Sequence, residues 1–345
     1  MKTSFADLCA SRDWLLADGA TGTNLFRAGL ETGYPPELWN VEHPDRVTGL
    51  HSAFIDAGAD ILLTNSFGGT AHRLKLHQAE TRVAELNEAA ARLARAVADA
   101  ADKPVLVAGS MGPTGELFEP LGALTPDEAE QAFAEQAIAL AAGGADLLWI
   151  ETMSSLEEIE AAVKGARHTD LPVAATMTFD TAGRTMMGIT PAAYADVAAN
   201  LGLDAFGANC GIGPAELLDS IHGFVEHKAE LPMVAKGNCG IPAYVDGEIH
   251  YHGTPELMAD YAVLARDSGV RIIGGCCGTS PEHVKMMAHA LRTTPPAGSA
   301  TRQDVAAKLG EAWSNVPENQ HLNKVSGAVG GGGADYHTPF TQIID

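Results

Sequence analysis

The sequence predicts a (β/α)8 TIM barrel, on three observations. Eight short apolar runs alternate with amphipathic, alanine-rich stretches between residues 14 and 291, the rhythm of a parallel sheet with helical crossovers. Eight is also the strand number that closes such a sheet into a barrel. The chemically unusual residues gather at the C-terminal ends of the runs, which in a barrel share the face that carries function. An open, doubly wound sheet uses the same alternation, and sequence alone leaves it as the second architecture. The barrel is assigned to residues 1–292, and residues 293–345 to a Pro/Gly-rich tail or arm.

The elements follow in order. A helix around Cys9 precedes the first run, "WLLAD" (14–18), which ends in Asp18-Gly19. After the loop "ETGYPPELWN", His43 in "VEHPD" stands before a helix as a neighbour of its cap. "AGAD" (57–60) ends that helix with glycine and leads into "DILLT" (60–64). A helix over 80–101 precedes "PVLVAGS" (104–110). "TPDEAEQ" joins the cap residue Thr125, a proline and early acids, and opens a helix over 125–142. "GGAD" (143–146) then leads into "DLLWIET" (146–152), and a helix over 154–167 into "PVAATMTF" (172–179). "DAFGANC" (204–210), a helix over 214–229 and "PMVAKGN" (232–238) follow. "TPELMAD" from Thr254 opens 254–268, "SGVR" (268–271) leads into "RIIGGCC" (271–277), and a helix over 281–291 completes the set. The tail holds one short helix at 304–313 and the run "GAVGGGGAD" (327–335), a composition of linkers or of an arm that orders on a partner subunit.

Composition narrows the function. A formal charge of −22 argues against nucleic acid and anionic membranes. No apolar stretch reaches the ~18 residues of a spanning helix, and the first residues lack a signal-type pattern. Five cysteines, an odd number at irregular spacing, suit a reducing cytoplasm better than a secreted framework. "GSMGPTG" follows a strand but has no lysine where a phosphate-binding loop needs one.

Three of those cysteines carry the chemistry. Cys210 ends the sixth run, and Cys276 with Cys277 ends the eighth. Thiolates converging on one point favour zinc, and three protein ligands leave the open position of a catalytic site. Cys239, after the seventh run, or its neighbour Asn238 would close the site if it were a fourth ligand. Zinc ringed by thiolates is a poor activator of water but can bind a substrate thiol as thiolate, which points to alkyl transfer to sulfur. A zinc hydrolase fits less well, since those sites use histidine and carboxylate.

"DGATGTNL" (18–25), "TNSFGGT" (64–70), "AGSMGPTG" (108–115), "IET" (150–152), "GANCGIGP" (207–214) and "GGCCGTSPEH" (274–283) together resemble the homocysteine S-methyltransferase family, in order over about residues 13–292. The resemblance implies zinc on Cys210, Cys276 and Cys277, L-homocysteine as acceptor and methionine as product. It assigns Asp18 and Glu151 to the substrate's amino group, and Gly19 with neighbouring amides and Thr64 to its carboxylate. Family members draw the methyl group from methylcobalamin, S-methylmethionine, S-adenosylmethionine or betaine. Animal-type betaine enzymes carry tyrosines where this chain has Gly68 and Thr152, which leaves Trp39 and Tyr34 as candidates for a different aromatic cage. "AGRTMMGIT" (182–190) and "GNCGIP" (237–242) are closer to the homocysteine module of cobalamin-dependent methionine synthase. A cobalamin donor would therefore arrive on a separate protein. A homocysteine- and zinc-binding subunit, active only in a complex, is the non-enzyme alternative.

Overall fold

The computed structural model describes residues 3–228, 230–240, 242–245 and 248–312, with the backbone alone over 242–245 and 248–250. The N-terminal part runs α1 (Phe5–Ser11), β1 (Leu15–Leu16), α2 (Gly22–Arg27), α3 (Trp39–Glu42), α4 (Pro44–Ala57), β2 (Ile61–Leu63), α5 (Ala71–Lys75) and α6 (Val83–Asp99). Next come β3 (Leu106–Met111), α7 (Pro126–Ala142), β4 (Leu147–Met153), α8 (Leu156–Ala166), β5 (Val173–Met177), α9 (Pro191–Asn200) and β6 (Ala205–Cys210). The chain continues through α10 (Pro214–Glu226), β7 (Met233–Gly237), β8 (Pro242–Val245), β9 (Glu248–Tyr251), α11 (Pro255–Asp267), β10 (Ile272–Gly275), α12 (Pro281–Thr293) and α13 (Arg302–Leu309).

Eight parallel strands lie in the order β1-β10-β7-β6-β5-β4-β3-β2. The remaining seam closes through a parallel bridge between Ala17 and Ile61. There Asp18 N donates to Ile61 O at 3.0 Å and Asp60 N to Leu16 O at 2.6 Å. The sheet is a barrel, and the doubly wound alternative is set aside. β8 and β9 form an antiparallel hairpin inserted after β7. No helix among the described residues is long and apolar enough to cross a membrane.

Local sequence accounts for most boundaries. Thr125 accepts from Glu128 N while the Glu128 carboxylate returns to the cap backbone, a complete capping box on α7. Thr254 accepts from Leu257 N at the start of α11, with proline in the first turn. Gly58, Gly144 and Gly269 all take positive φ just beyond helix ends, as the three glycine signals predict. No helix is expected from the sequence between the fifth and sixth runs, where α9 stands. That helix is short and buries only Tyr194, Ala195 and Ala198, so its apolar stripe is narrow.

Strand alternation sorts the core into two layers. Leu15, Ala17, Ile61, Leu63, Leu106, Ala108, Leu147, Trp149, Ala174, Ala205, Val234 and Ile272 fill the barrel interior, and Phe5 and Leu8 of α1 close its N-terminal end. Cys9 packs against this cluster, in keeping with a purely structural role. Leu16, Leu62, Val107, Leu148, Phe206 and Ile273 face the helices instead. Trp149 is fully buried at the barrel centre. Trp149→Ala is expected to cost about 3–5 kcal/mol, read as a lower urea midpoint.

The helix expected at 304–313 is α13, docked on the barrel with Val305 4% exposed and Arg302 bonded to Asp219 and Glu226. The glycine run at 327–335, and with it the suggested arm for self-association, lies outside the described residues.

Candidate metal and substrate site

One step toward the C-terminal ends, the interior alternation turns polar. Ser110 of β3, Glu151 of β4, Thr176 of β5, Asn209 of β6 and Lys236 of β7 continue the inward parity of Ala108, Trp149, Ala174, Gly207 and Val234. All five are buried. Cys276 extends β10 at the same level.

The three thiols meet here. Cys210 Sγ lies 2.8 Å from Cys276 Sγ and 3.9 Å from Cys277 Sγ, and all three lie within 4.8 Å of one another. Zinc–sulfur bonds of ~2.3 Å in a tetrahedral site set sulfurs about 3.8 Å apart. The Cys210–Cys277 spacing matches that; Cys276 would need to move outward by about an ångström. The donor set fits a soft divalent cation. Bonds from Cys210 and Cys276, and a further one from Tyr251, hold the Cys277 thiol well below its ordinary range. Bonding to Cys276 and to Cys277, with burial, pushes Cys210 well up. A cation is what lets all three ionise together.

Glycines shape the turn that aims the doublet. A Cβ at Gly275 would lie 2.2 Å from Thr279 Cγ2, so Gly275→Ala should displace the turn that carries both cysteines. The expected result is a folded barrel with about tenfold or weaker metal affinity, measured by chelator competition. Cys210 itself has φ +60 and Thr152 φ +64, a left-handed conformation uncommon outside glycine and rarer for a β-branched residue.

Beside the thiols lies a charged group of three. Lys236 Nζ is 2.9 Å from Asp18 Oδ1, with side chains 3% and 0% exposed. Asp18 Oδ2 accepts from Leu63 N at 2.8 Å. Burial raises Asp18 above the usual carboxylate range against the pull of Lys236. Burial alone would lower the Lys236 ammonium, but Asp18, Glu151 and Cys276 together carry it above its ordinary value. Glu151 accepts from Ser110 Oγ at 2.5 Å. Burial pushes its carboxyl up to about 7, with Lys236 opposing and Cys276 adding.

The other expected residues sort differently. Gly19 lies against the eighth-strand turn, where a Cβ would stand 2.5 Å from Thr279 O. Thr64 Oγ1 is engaged by Ser66 Oγ (2.6 Å) and by Ser110 N (2.9 Å), so its hydroxyl braces the pocket floor. Cys239 is turned away from the trio: its buried thiol donates to Gly253 O at 3.1 Å, and burial raises it to about 11. Asn238 is also committed elsewhere. Its Oδ1 accepts from Cys277 N (3.0 Å) and its Nδ2 donates to Gly211 O (2.5 Å), tying the two cysteine-bearing loops together. Trp39 cannot wall a cage, being 4% exposed, edge-on to His43 and covered by Arg46. Tyr34 bonds Glu42 at the surface. Glu37 covers Gly68, its carboxylate accepting from Gly68 N at 2.6 Å.

Ser110, Asn209, Lys236, Thr176 and Tyr251 join the site without a role assigned from the sequence. Parity was the available signal for four of them. In "VAKGN", lysine sits two residues after the interior Val234, and the same count reaches Ser110, Asn209 and Thr176. Tyr251 offered none, since only the hairpin brings it to Cys277.

The sequence matches the family described as homocysteine S-methyltransferase over residues 15–291. Methionine synthase from Mycobacterium tuberculosis (strain ATCC 25618 / H37Rv) is 32% identical over 307 residues, covering 84% of this chain and 25% of that protein. The Mycobacterium leprae (strain TN) methionine synthase is also 32% identical, over 80% of this chain and 24% of that protein. This chain thus spans about a quarter of those relatives' length. Among solved structures, the metallated form of the homocysteine methyltransferase MmuM from Escherichia coli is 25% identical, with TM-score 0.68, covering 82% of this chain and 98% of that one. The oxidised form of the same protein is 27% identical, with TM-score 0.66, over 82% of this chain and 97% of that one.

Proposed function

The chain belongs to the homocysteine S-methyltransferase family, and on that premise we propose that it methylates L-homocysteine to methionine at a zinc site formed by Cys210, Cys276 and Cys277. The observation that carries this reading is three thiols from two strand ends within 4.8 Å of one another, beside a buried carboxylate suited to an ammonium. When bound, zinc would supply the positive charge that favours a substrate thiolate at neutral pH. The rest falls to the protein. Glu151, oriented by Ser110, receives the substrate's ammonium. Lys236 neutralises Asp18, so Asp18 acts on that ammonium through the shared charge of the group. Gly19 is assigned to the substrate carboxylate; the amides flanking it are engaged within the barrel, Asp18 N by Ile61 O and Ala20 N by Thr279 O. The thiol proton leaves to solvent, a sulfur lone pair forms the new S–CH3 bond, and the donor keeps the electron pair of the bond that breaks. The thiols must stay reduced, which fits a cytoplasmic enzyme.

Two donor classes rest on different observations. A methylated corrinoid carried by a partner protein is favoured by the apolar rim: Phe67, Leu117, Leu121, Met186 and Met187 are exposed on loops after β2, β3 and β5, while of the expected cage positions Gly68 and Thr152 are non-aromatic, Trp39 is buried and Tyr34 is bonded to Glu42. A small onium donor such as betaine or S-methylmethionine is favoured by Tyr251, whose hydroxyl bonds Cys277 and whose ring lies against Gly278, next to the thiols, where cation–π attraction can act. The test is methionine formation by the isolated, zinc-loaded chain with betaine, S-methylmethionine, S-adenosylmethionine and methylcobalamin, with and without a corrinoid protein. Calorimetry in buffers of different ionisation enthalpy should show release of about one proton per homocysteine bound. Homocysteine binding that leaves the zinc X-ray absorption edge unchanged would overturn the reading. Turnover only with an added partner would assign the chain as a subunit of a complex.

A further inference from the structure

Asn209 joins the two ends of the site. Its Oδ1 accepts from Thr152 N (2.8 Å) and Thr176 Oγ1 (2.7 Å). Its Nδ2 donates to Thr152 Oγ1 (2.7 Å) and reaches Cys276 Sγ at 3.8 Å. Thr152 directly follows Glu151, and Thr176 Oγ1 also lies 3.4 Å from Ile150 O, on the other side of Glu151. A single buried amide therefore grips the backbone around the ammonium acceptor and touches the thiol cluster. It also precedes Cys210, so its own backbone sets where that sulfur starts.

The strained backbone agrees. Thr152 at φ +64 holds a conformation that is unfavourable for a β-branched residue and persists only where its surroundings over-determine it. Both groups by which Thr152 is held in that state, its N–H and its hydroxyl, bond to Asn209. Relaxing Thr152 would swing Glu151 relative to the sulfurs. Strain maintained at this point has an evident use if the separation of Glu151 from the cysteines matters.

We propose that Asn209 is a specificity-determining positioning residue: it fixes the span between Glu151 and the three cysteines, so that the site accepts the two-methylene spacer of homocysteine and rejects the single methylene of cysteine. This rests on the function proposed above. Homocysteine is held at both ends, by its ammonium and its sulfur, so a site of fixed length penalises a spacer one carbon short. One methylene is worth about 10–200-fold in discrimination when both ends are rigid. A clamp that loosens gives that discrimination away even where each end still binds.

The experiment uses cobalt(II)-loaded full-length protein, whose visible and sulfur-to-metal absorption reports thiol ligation, titrated with homocysteine and with cysteine. The wild type should bind homocysteine at least about tenfold more tightly. Asn209→Ala and the equal-sized Asn209→Asp, which lacks the N–H donors, should each cut that ratio about tenfold. Thr152→Val, which removes only the hydroxyl partner, should cut it less, and carries the test if Asn209→Ala does not fold. A residue serving stability alone would weaken both thiols equally, and an unchanged ratio in the folded variants overturns the proposal. So does a wild type that binds the two thiols alike. A wild type whose absorption ignores homocysteine overturns the proposed function instead.

Discussion

Cys277→Ser is expected to yield a folded barrel that has lost its zinc. Cys277 sits on the turn after β10, away from the two apolar layers that hold the barrel together, so folding does not depend on it. Metal binding does. A neutral serine hydroxyl replaces a soft anionic ligand, and the site keeps two thiols where it had three. Affinity should fall at least about 100-fold, and methionine formation with it. Cys210→Ser and Cys276→Ser should behave alike. Cys9→Ser, at the N-terminal end of the barrel, should keep about one zinc per chain. Cys239→Ala should also keep the metal, since that thiol is turned to Gly253 O. Zinc analysis after dialysis against a chelator reads all five proteins. Full zinc retention in the Cys277 variant would remove the basis of the site.

Glu151→Gln carries the second large effect, and its sign depends on what is measured. A charge-assisted bond to the substrate's ammonium is worth about 1.5–3 kcal/mol, so homocysteine affinity should drop about 10–100-fold near pH 8. The wild-type carboxyl, raised to about 7 by burial, accepts the ammonium only when ionised. Wild-type binding should therefore weaken as pH falls through about 7, and the variant should lack that step. Lys236, Cys276, Asp18 and Cys277 are charged or titratable groups acting on Glu151, and none is altered by the substitution.

Stability should move the other way. Between about 4.5 and about 7 the folded protein holds a proton on Glu151 that the unfolded chain has lost. Folding stability therefore declines as pH rises through that window. Above it, the ionised side chain costs on the order of 3 kcal/mol. Glu151→Gln should thus raise the urea midpoint at pH 8 and change it far less at pH 5.5. Parallel pH profiles for the two proteins would show that Glu151 does not titrate where its burial puts it.

Much of this was legible in the chain. Apolar runs of strand length, capped helix starts such as Thr125 and glycine stops such as Gly58 are local signals, and local backbone chemistry governs them. The cysteine trio was legible too, because Cys210 and Cys276-Cys277 end runs that a barrel brings to one rim. Glu151 announced itself as an acid at the end of an apolar strand.

Tertiary structure decided what depends on pairing across the barrel. Closure rests on the Ala17–Ile61 bridge, between residues 44 positions apart in sequence, and no local pattern encodes it. The partner of Asp18 is Lys236, 218 residues away, so its carboxylate is engaged by the protein's own ammonium before any substrate arrives. Cys239 and Cys277 both stand at strand ends flanked by glycine, and sequence cannot say which way either thiol points. Backbone direction at each turn separates them: Cys239 packs under Gly253, and Cys277 faces Cys210. Sequence determined which groups stand at the rim, because alternation and strand ends are properties of neighbouring residues. Only the folded barrel determined which of those groups touch, because contact across it is fixed by register and side-chain direction summed over strands far apart in the chain.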